Sequence, residues 1–477
     1  MMLAAAACAN NSGGTGSVPS VGTTTTTAPP TSAAPTTSSA AAPTTTAPSA
    51  GGGYVYFLNF KPEIADVYDK IVAEYKAETG VDVKVMTAAS GTYQQTLTSE
   101  MAKSQPPTIF QINGPVGYAT WKDYTADMTQ SWLYQHLSDK SLAVSTASGV
   151  WGVPYVVEGY GIIYNDAIMK KYFALPDKSS AVTVTSADQI KSWDTLKTVV
   201  EDMTAHKDAL GIKGVFSSTS LKPGEDWRWQ THLANIPLFY EFNADKVDLT
   251  KGTPASIKFT YGANYQSLFD LYLNNSVTAK TQLGAKIVDD SMAEFAMGQS
   301  AMVQNGNWAW GQVNGVQGNT VQAGDVHFLP LYMGIPGEEK YGIPIGTENY
   351  FSINAKADAA SQQASLAFLQ WLFSSEKGKA FVSAAPPNGL GFIAPFDTFA
   401  GGGPADPLAQ EVMKWMSTTG VQSVSWSSFQ VMPSQDWKNN FGADLLSYAQ
   451  GSMDWATLTS TVVADWAKQA TAAKAGG

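Results

Sequence analysis

Residues Tyr54–Val85 carry a β-α-β pattern, and that order admits few folds. Tyr54–Phe60 (Tyr-Val-Tyr-Phe-Leu-Asn-Phe) reads as a buried strand. Lys61-Pro62-Glu63 follows, and the spacing then predicts a helix from about Ala65 to Thr79. Ile64, Val67, Tyr68, Ile71, Val72 and Tyr75 form its apolar stripe, and Gly80 stops it. Val81–Val85 alternates apolar and polar residues as a strand does. Strands joined through a helix feed a mainly parallel sheet. Ligands of such sheets gather at the carboxyl ends of the strands. Asn59, Lys61 and Glu63 occupy that rim and are the first candidate site residues, although each alone also reads as solvated surface.

A second stretch, Glu294–Val313, points to a ligand. It reads as a helix ending at Gly298, a short buried strand Ala301-Met302-Val303, and a turn at Asn305-Gly306. Trp308 and Trp310 come directly after. A turn at the end of a buried strand commonly faces a cleft. Two indoles there offer flat apolar plates; the alternative is that both are core. The chain's fourteen tryptophans suit carbohydrate, because one face of a sugar ring is a patch of C–H groups.

Charge and motif content exclude other classes. A net charge of -11 argues against nucleic acid and anionic membrane surfaces as partners, since both need a basic face. The 477 residues allow two or three domains. There is no phosphate-binding Gly-x-x-x-x-Gly-Lys-Ser/Thr loop and no Cys pair for zinc. His136, His206, His232 and His327 share no metal-ligand spacing, so neither a metal nor a cofactor is expected. Carboxylates are plentiful, but no pair stands out as catalytic. A glycosidase would need only two, ~5–10 Å apart.

Several segments resemble the bacterial ABC-transporter solute-binding proteins of the maltose-binding type, family 1. Residues 298–308 fit its Gly-x-x-Ala-Met-x-x-x-Gly-x-Trp segment, in which the tryptophan stacks on sugar; the match falls on Trp308. Trp151–Asn165 is similar to its first crossover strand, Gly-x-Pro-x-x-x-Glu-x-x-x-x-x-Tyr-Asn. Glu158 would there accept hydrogen bonds from sugar hydroxyls; the other reading pairs it with a hinge backbone or a lysine. A second crossover at Tyr341–Ile353 would put Glu348 and Tyr350 at the cleft, and Leu390–Pro395 is a third. The strand Thr108–Ile112 and the following Asn113 resemble a binding-loop segment, with Gln111 a weaker candidate. Within Lys222–Gln230 the family places an aromatic in the cleft, Trp227 ahead of Trp229. Met432–Trp437 matches another such place, making Trp437 the candidate second plate. Trp415, Trp426, Trp455 and Trp466 look like helix-packing residues.

The resemblance implies an α/β periplasmic-binding-protein-like fold of two discontinuous lobes joined by a three-segment hinge. The N-lobe is expected at 54–157 plus 346–391, and the C-lobe at 158–345 plus 392–477. It implies the extracellular, non-enzymatic substrate-binding component of an ABC importer. A mono- or oligosaccharide would be captured by hinge closure and handed to permease subunits driven by a cytoplasmic ATPase. A monomer is expected. Small residues before Cys8 resemble a lipobox, which would make 1–8 a truncated signal peptide and Cys8 a lipid anchor to the membrane. Residues 9–53, nearly all Thr, Ala, Pro, Ser and Gly, read as a disordered tether. Its end-to-end distance would be about 35–40 Å. Two alternatives stand beside this reading. One is a secreted glycoside hydrolase with a tryptophan-lined cleft. The other is an adhesin that binds sugar without closing.

Overall fold

The computed structural model describes residues 52–475. Cys8 and tether residues 9–51 lie outside the described residues. Eleven strands are present among those described: β1 Val55–Asn59, β2 Val83–Thr87, β3 Ile109–Ile112, β4 Val144–Thr146, β5 Gly149–Pro154, β6 Glu158–Asn165, β7 Met302–Gly306, β8 Val326–Leu329, β9 Tyr341–Gly346, β10 Tyr350–Ile353 and β11 Gln422–Ser425. They form two sheets. The first runs β2-β1-β3-β10-β5-β4, with β1 parallel to both its neighbours. In the second, β6 pairs antiparallel with β7 along one edge and with β9 and then β8 along the other, and β11 extends β9.

The β-α-β start folds as its pattern dictates. All five residues of β1 are buried, as a strand between two covered faces requires. The helix Ala65–Thr79 turns Val67, Tyr68, Ile71 and Tyr75 inward, and Gly80 ends it at φ +74. The next strand begins at Val83, so Val81-Asp82 is connection rather than strand. The Asn305-Gly306 turn expected from sequence is not one. Gly306 is extended at φ -112 and closes β7, and the chain turns one residue later, over Asn307–Ala309. Glycine is needed there for room: a Cβ at 306 would fall 2.2 Å from the Trp308 ring.

The chain passes between the sheets at 155–157, linking β5 to β6, and returns at 347–349, linking β9 to β10. A third passage lies later than the sequence suggests. Residues 392–399 stay with the first sheet instead of joining the second. Val157 N–H donates to Ile393 O, Ser138 N–H donates to Pro395 O, and the Phe396 ring packs 4.8 Å from Phe373. The crossing therefore falls at about 400–406, before the helix Pro407–Ser417 buries Leu408 and Val412 against Ile163, Phe328 and Ile343 of the second sheet.

Four sequence candidates lie in the core. Trp437 sits in the helix Gln435–Ala449 and is 1% exposed. It shares an i, i+4, i+8 stripe with Phe441 and Leu445, which turns it toward the helix Trp455–Ala475. Its ring packs edge-on to Trp466 at 5.0 Å, and Nε1 donates to Val462 O. Trp229 is wedged between Phe269 and Tyr272, and Trp310 is buried as well. Tyr350 is buried on β10, its hydroxyl accepting from Gln430.

Trp437→Ala is therefore expected to cost about 3–5 kcal/mol of stability, read as a lowered denaturant midpoint. Ligand affinity in the surviving fold stays near normal. Intact stability with lost affinity would return Trp437 to the cleft.

Candidate functional site

The carboxyl end of β1, the crossing strands and the turns before β8 enclose a cleft of about 510 Å³, within the roughly 300–1,000 Å³ of small-molecule sites. From the first lobe come Phe60, Lys61, Glu63, Tyr93, Gln111 and Asn113; from the second, Asp226, Trp227, His232, Trp308 and Lys438; from the crossings, Glu158, Glu348 and Asn349. The structure thus brings Lys61, Glu63, Asn113, Glu158, Trp227, Trp308 and Glu348 of the sequence candidates to one cavity. It leaves Trp437 and Tyr350 behind the wall. Asn59 is fully buried and acts as a clip: its Nδ2 donates to Lys61 O and its Oδ1 accepts from Lys61 N–H. Gln111 reaches the cleft but is spent locally, accepting from Phe60 N–H and donating to the Tyr155 hydroxyl.

Lys61 is the hub. Its Nζ lies 2.7 Å from Glu158 Oε1, 3.4 Å from Glu63 Oε1 and 5.6 Å from the centroid of the Trp308 ring. Burial works against the ammonium, but Glu158, Glu63 and Glu348 outweigh it and hold Lys61 charged, above the ordinary lysine range. Burial, aided by Glu63 and Glu348, lifts the Glu158 carboxyl, and Lys61 pulls it back. With an ammonium at 2.7 Å, the ionised pair is the state this geometry fits.

Facing the hub is an aromatic wall. Trp227 and Trp308 lie 5.9 Å apart at 51°, an angled pair of plates. His232 sits among Tyr160, Trp227, Trp308, Trp426 and Phe429. It belongs to a π-helical turn, Arg228–Leu233, a distortion that is frequent at functional sites. Burial pushes the imidazole down despite Glu348, whose Oε2 lies 3.8 Å from His232 Nε2. Burial also works against the Glu348 charge, but His232, Lys438 and Lys61 hold its carboxyl below the usual range.

Sequence reasoning missed Lys438, His232, Asn349 and Asp226. Lys438 is 8% exposed, and burial lowers its pKa against the attraction of Glu348. Among the described residues no carboxylate lies within 4.0 Å of its Nζ, which rests 5.9 Å from the Phe429 ring. Among the described residues, Asn349 Nδ2 and His232 Nδ1 are buried without a hydrogen-bond partner. Buried polar groups are normally hydrogen-bonded, so an unmet amide donor and an unmet imidazole nitrogen in a cavity suit a ligand that both accepts and donates. The one available signal for Lys438 was helical phase: with Trp437 inward, its neighbour turns toward the cleft.

Asp226 is buried beside the plates, and the helix Gln435–Ala449 passes so close that a Cβ at Gly442 would fall 1.8 Å from its carboxylate. Burial is the main force raising its pKa from 3.8 to about 6, against hydrogen bonds from backbone N–H groups and Gln230 and the charge of Arg228.

Comparison with known proteins agrees with this geometry. A family profile described as bacterial extracellular solute-binding protein matches residues 70–401. No curated protein sequence matches the chain. Among solved structures, the chain is similar to a chitin oligosaccharide binding protein, at 17% identity and TM-score 0.64, covering 88% of this chain and 100% of that one. It is similar to the solute-binding protein RafE in complex with raffinose, at 16% and 0.65, covering 87% and 99%. It is also similar to the GacH receptor of Streptomyces glaucescens, at 17% and 0.62, covering 88% and 98%. These likenesses show the two-lobe fold.

Asp226 generates a pH prediction. Its folded-state pKa lies above the unfolded value, so the folded protein holds the extra proton. Its contribution to stability is full below about pH 4 and is lost as pH rises through about 6. The size is on the order of 3 kcal/mol, at 1.36 kcal/mol per pH unit. Asp226→Asn keeps the shape without the titration. Urea unfolding at pH 4 to 7 should show the variant gaining on the wild type as pH rises; parallel curves would contradict it.

Proposed function

We propose that this chain, which belongs to the bacterial extracellular solute-binding proteins, is the sugar-capturing component of an ABC importer. The observation that carries the reading is the pairing of opposite surfaces in one cleft. Trp227 and Trp308 offer plates for the C–H faces of sugar rings, and Lys438, Asn349, Glu348, Glu63 and Asn113 offer charged and amide groups for hydroxyls. The solved structures it resembles include proteins named for chitin oligosaccharide, raffinose and maltose, which supports the same ligand class.

Magnitudes favour a site with several contacts. One indole covering a C–H face contributes ~1–2 kcal/mol at about 25 cal/mol per Å². Micromolar affinity needs about 8 kcal/mol. Two plates therefore supply at most about half, and charged hydrogen bonds, each worth about 1.5–3 kcal/mol, supply the rest. A ligand that touches both lobes favours their closed arrangement.

The finer parts of the reading follow from the family resemblance. The closed monomer would dock on permease subunits driven by a cytoplasmic ATPase. Cys8, acylated, would anchor it to the outer face of the membrane, with residues 9–53 as tether. The chain would catalyse no reaction. A secreted glycoside hydrolase is the competing reading, and product separates the two.

A thermal-shift screen against raffinose, maltose and chitin oligosaccharides is expected to find a stabilising sugar, without new reducing ends after long incubation. Calorimetry with that sugar should then show Trp308→Ala and Trp227→Ala each losing ~2–4 kcal/mol of affinity, as interface hot spots do, with melting points near the wild type. Released reducing ends would favour the hydrolase. Normal affinity in both variants would remove the plates from the site.

A further inference from the structure

Two turns meet across the cleft with no side chain between them. The first, between β2 and the helix Tyr93–Met101, carries Gly91 at φ +70. The second carries Gly224 at φ +85; it is closed by Glu225 N–H donating to Lys222 O, and it leads into Asp226 and Trp227. Both turns line the cavity. A Cβ at Gly91 would lie 2.5 Å from Gly224 O and 2.7 Å from Gly224 Cα. The neighbour there is backbone, which cannot swing aside as a flexible side chain can. The relation is one-sided, since a Cβ at Gly224 meets only Gly91 Cα, at 3.8 Å.

We propose that Gly91 and Gly224 form the clasp of the closed cleft, the contact that fixes how near the two lobes come. Positive φ alone would explain a glycine at each turn. It does not explain why these two backbones touch while other positive-φ glycines, such as Gly80 and Gly252, have nothing within 4 Å. The contact is small and without interlocking side chains, so it permits closure and leaves the ligand to drive it. Any side chain at 91 holds the turns apart. Trp227 lies three residues beyond Gly224, and Tyr93 and Gln94 lie two and three beyond Gly91. Spacing at the clasp is therefore spacing between the plate and the opposite wall. This inference rests on the cleft being a ligand site, and its test is independent of which ligand enters.

The test compares two substitutions with the same backbone cost and opposite steric consequences. In the full chain with Cys8→Ser, the exposed flanks Ala89 and Lys222 are changed to cysteine and joined by a short bismaleimide, whose rate of cross-linking follows the population of closed molecules. Gly91→Ala is expected to slow cross-linking by about tenfold, the effect of a 1.4 kcal/mol bias against the closed state. Gly224→Ala, at a similar positive φ, should leave the rate near that of the parent. Thermal melts of each variant separate loss of closure from loss of fold. Equal rates for the Gly91 and Gly224 variants would overturn the clasp. A sugar screen that finds no ligand would sink the sugar reading while leaving the cross-linking comparison intact.

Discussion

The Lys61–Glu158 ion pair is the contact on which the site's geometry depends. Lys61 stands on the loop after the first strand of one lobe, and Glu158 is the first residue of the strand that enters the other. Removing two charges from water costs several kcal/mol per ion, which their attraction offsets only when the geometry is good. The pair is thus weak evidence for stability and stronger evidence for positioning. Asn59 fixes the Lys61 backbone from below, and Glu63 takes a second direction of the ammonium. Lys61 is held charged a few ångströms from the Trp308 plate, at the point where the chain first changes lobes.

Around that pair the second lobe is built as an aromatic wall with polar gaps. His232, whose imidazole burial pushes toward the neutral form, fills the space among five aromatic rings and faces Glu348. Gly306 leaves room for the Trp308 indole to lie back over its own strand. Lys438 and Asn349 complete the opposite character: among the described residues, Asn349 Nδ2 has no hydrogen-bond partner and Lys438 Nζ rests near the Phe429 ring with no carboxylate within 4.0 Å. Apolar plates and unmet donors in one cavity are what a sugar ring presents in reverse.

Local rules made much of this legible in the sequence. The helix Ala65–Thr79 has its predicted bounds because a stripe of apolar residues and a left-handed glycine fix both ends. Glu158 and Glu348 fall at crossings, as extended segments shared by two sheets require. Where sequence reasoning failed, the deciding contact was distant in the chain. Trp437 resembled a cleft aromatic, but a helix beginning eighteen residues later buries it. Residues 392–399, expected with the second lobe, find their partners Val157, Ser138 and Phe373 far back in sequence. Lys438 is hard to single out because a lysine in a helix ordinarily faces solvent, and only the packing of Trp437 sets the helical phase that turns it toward the cleft.

The account divides the chain's fourteen tryptophans into those that meet ligand and those that hold the lobes together. Fluorine NMR of the full chain carrying 5-fluorotryptophan, with resonances assigned by single substitution, reads that division directly during titration with a sugar that stabilises the protein. The account predicts that the Trp227 and Trp308 resonances move most, while those of Trp437 and Trp466 stay nearly still. Large shifts at Trp437 with still resonances at Trp227 and Trp308 would contradict it.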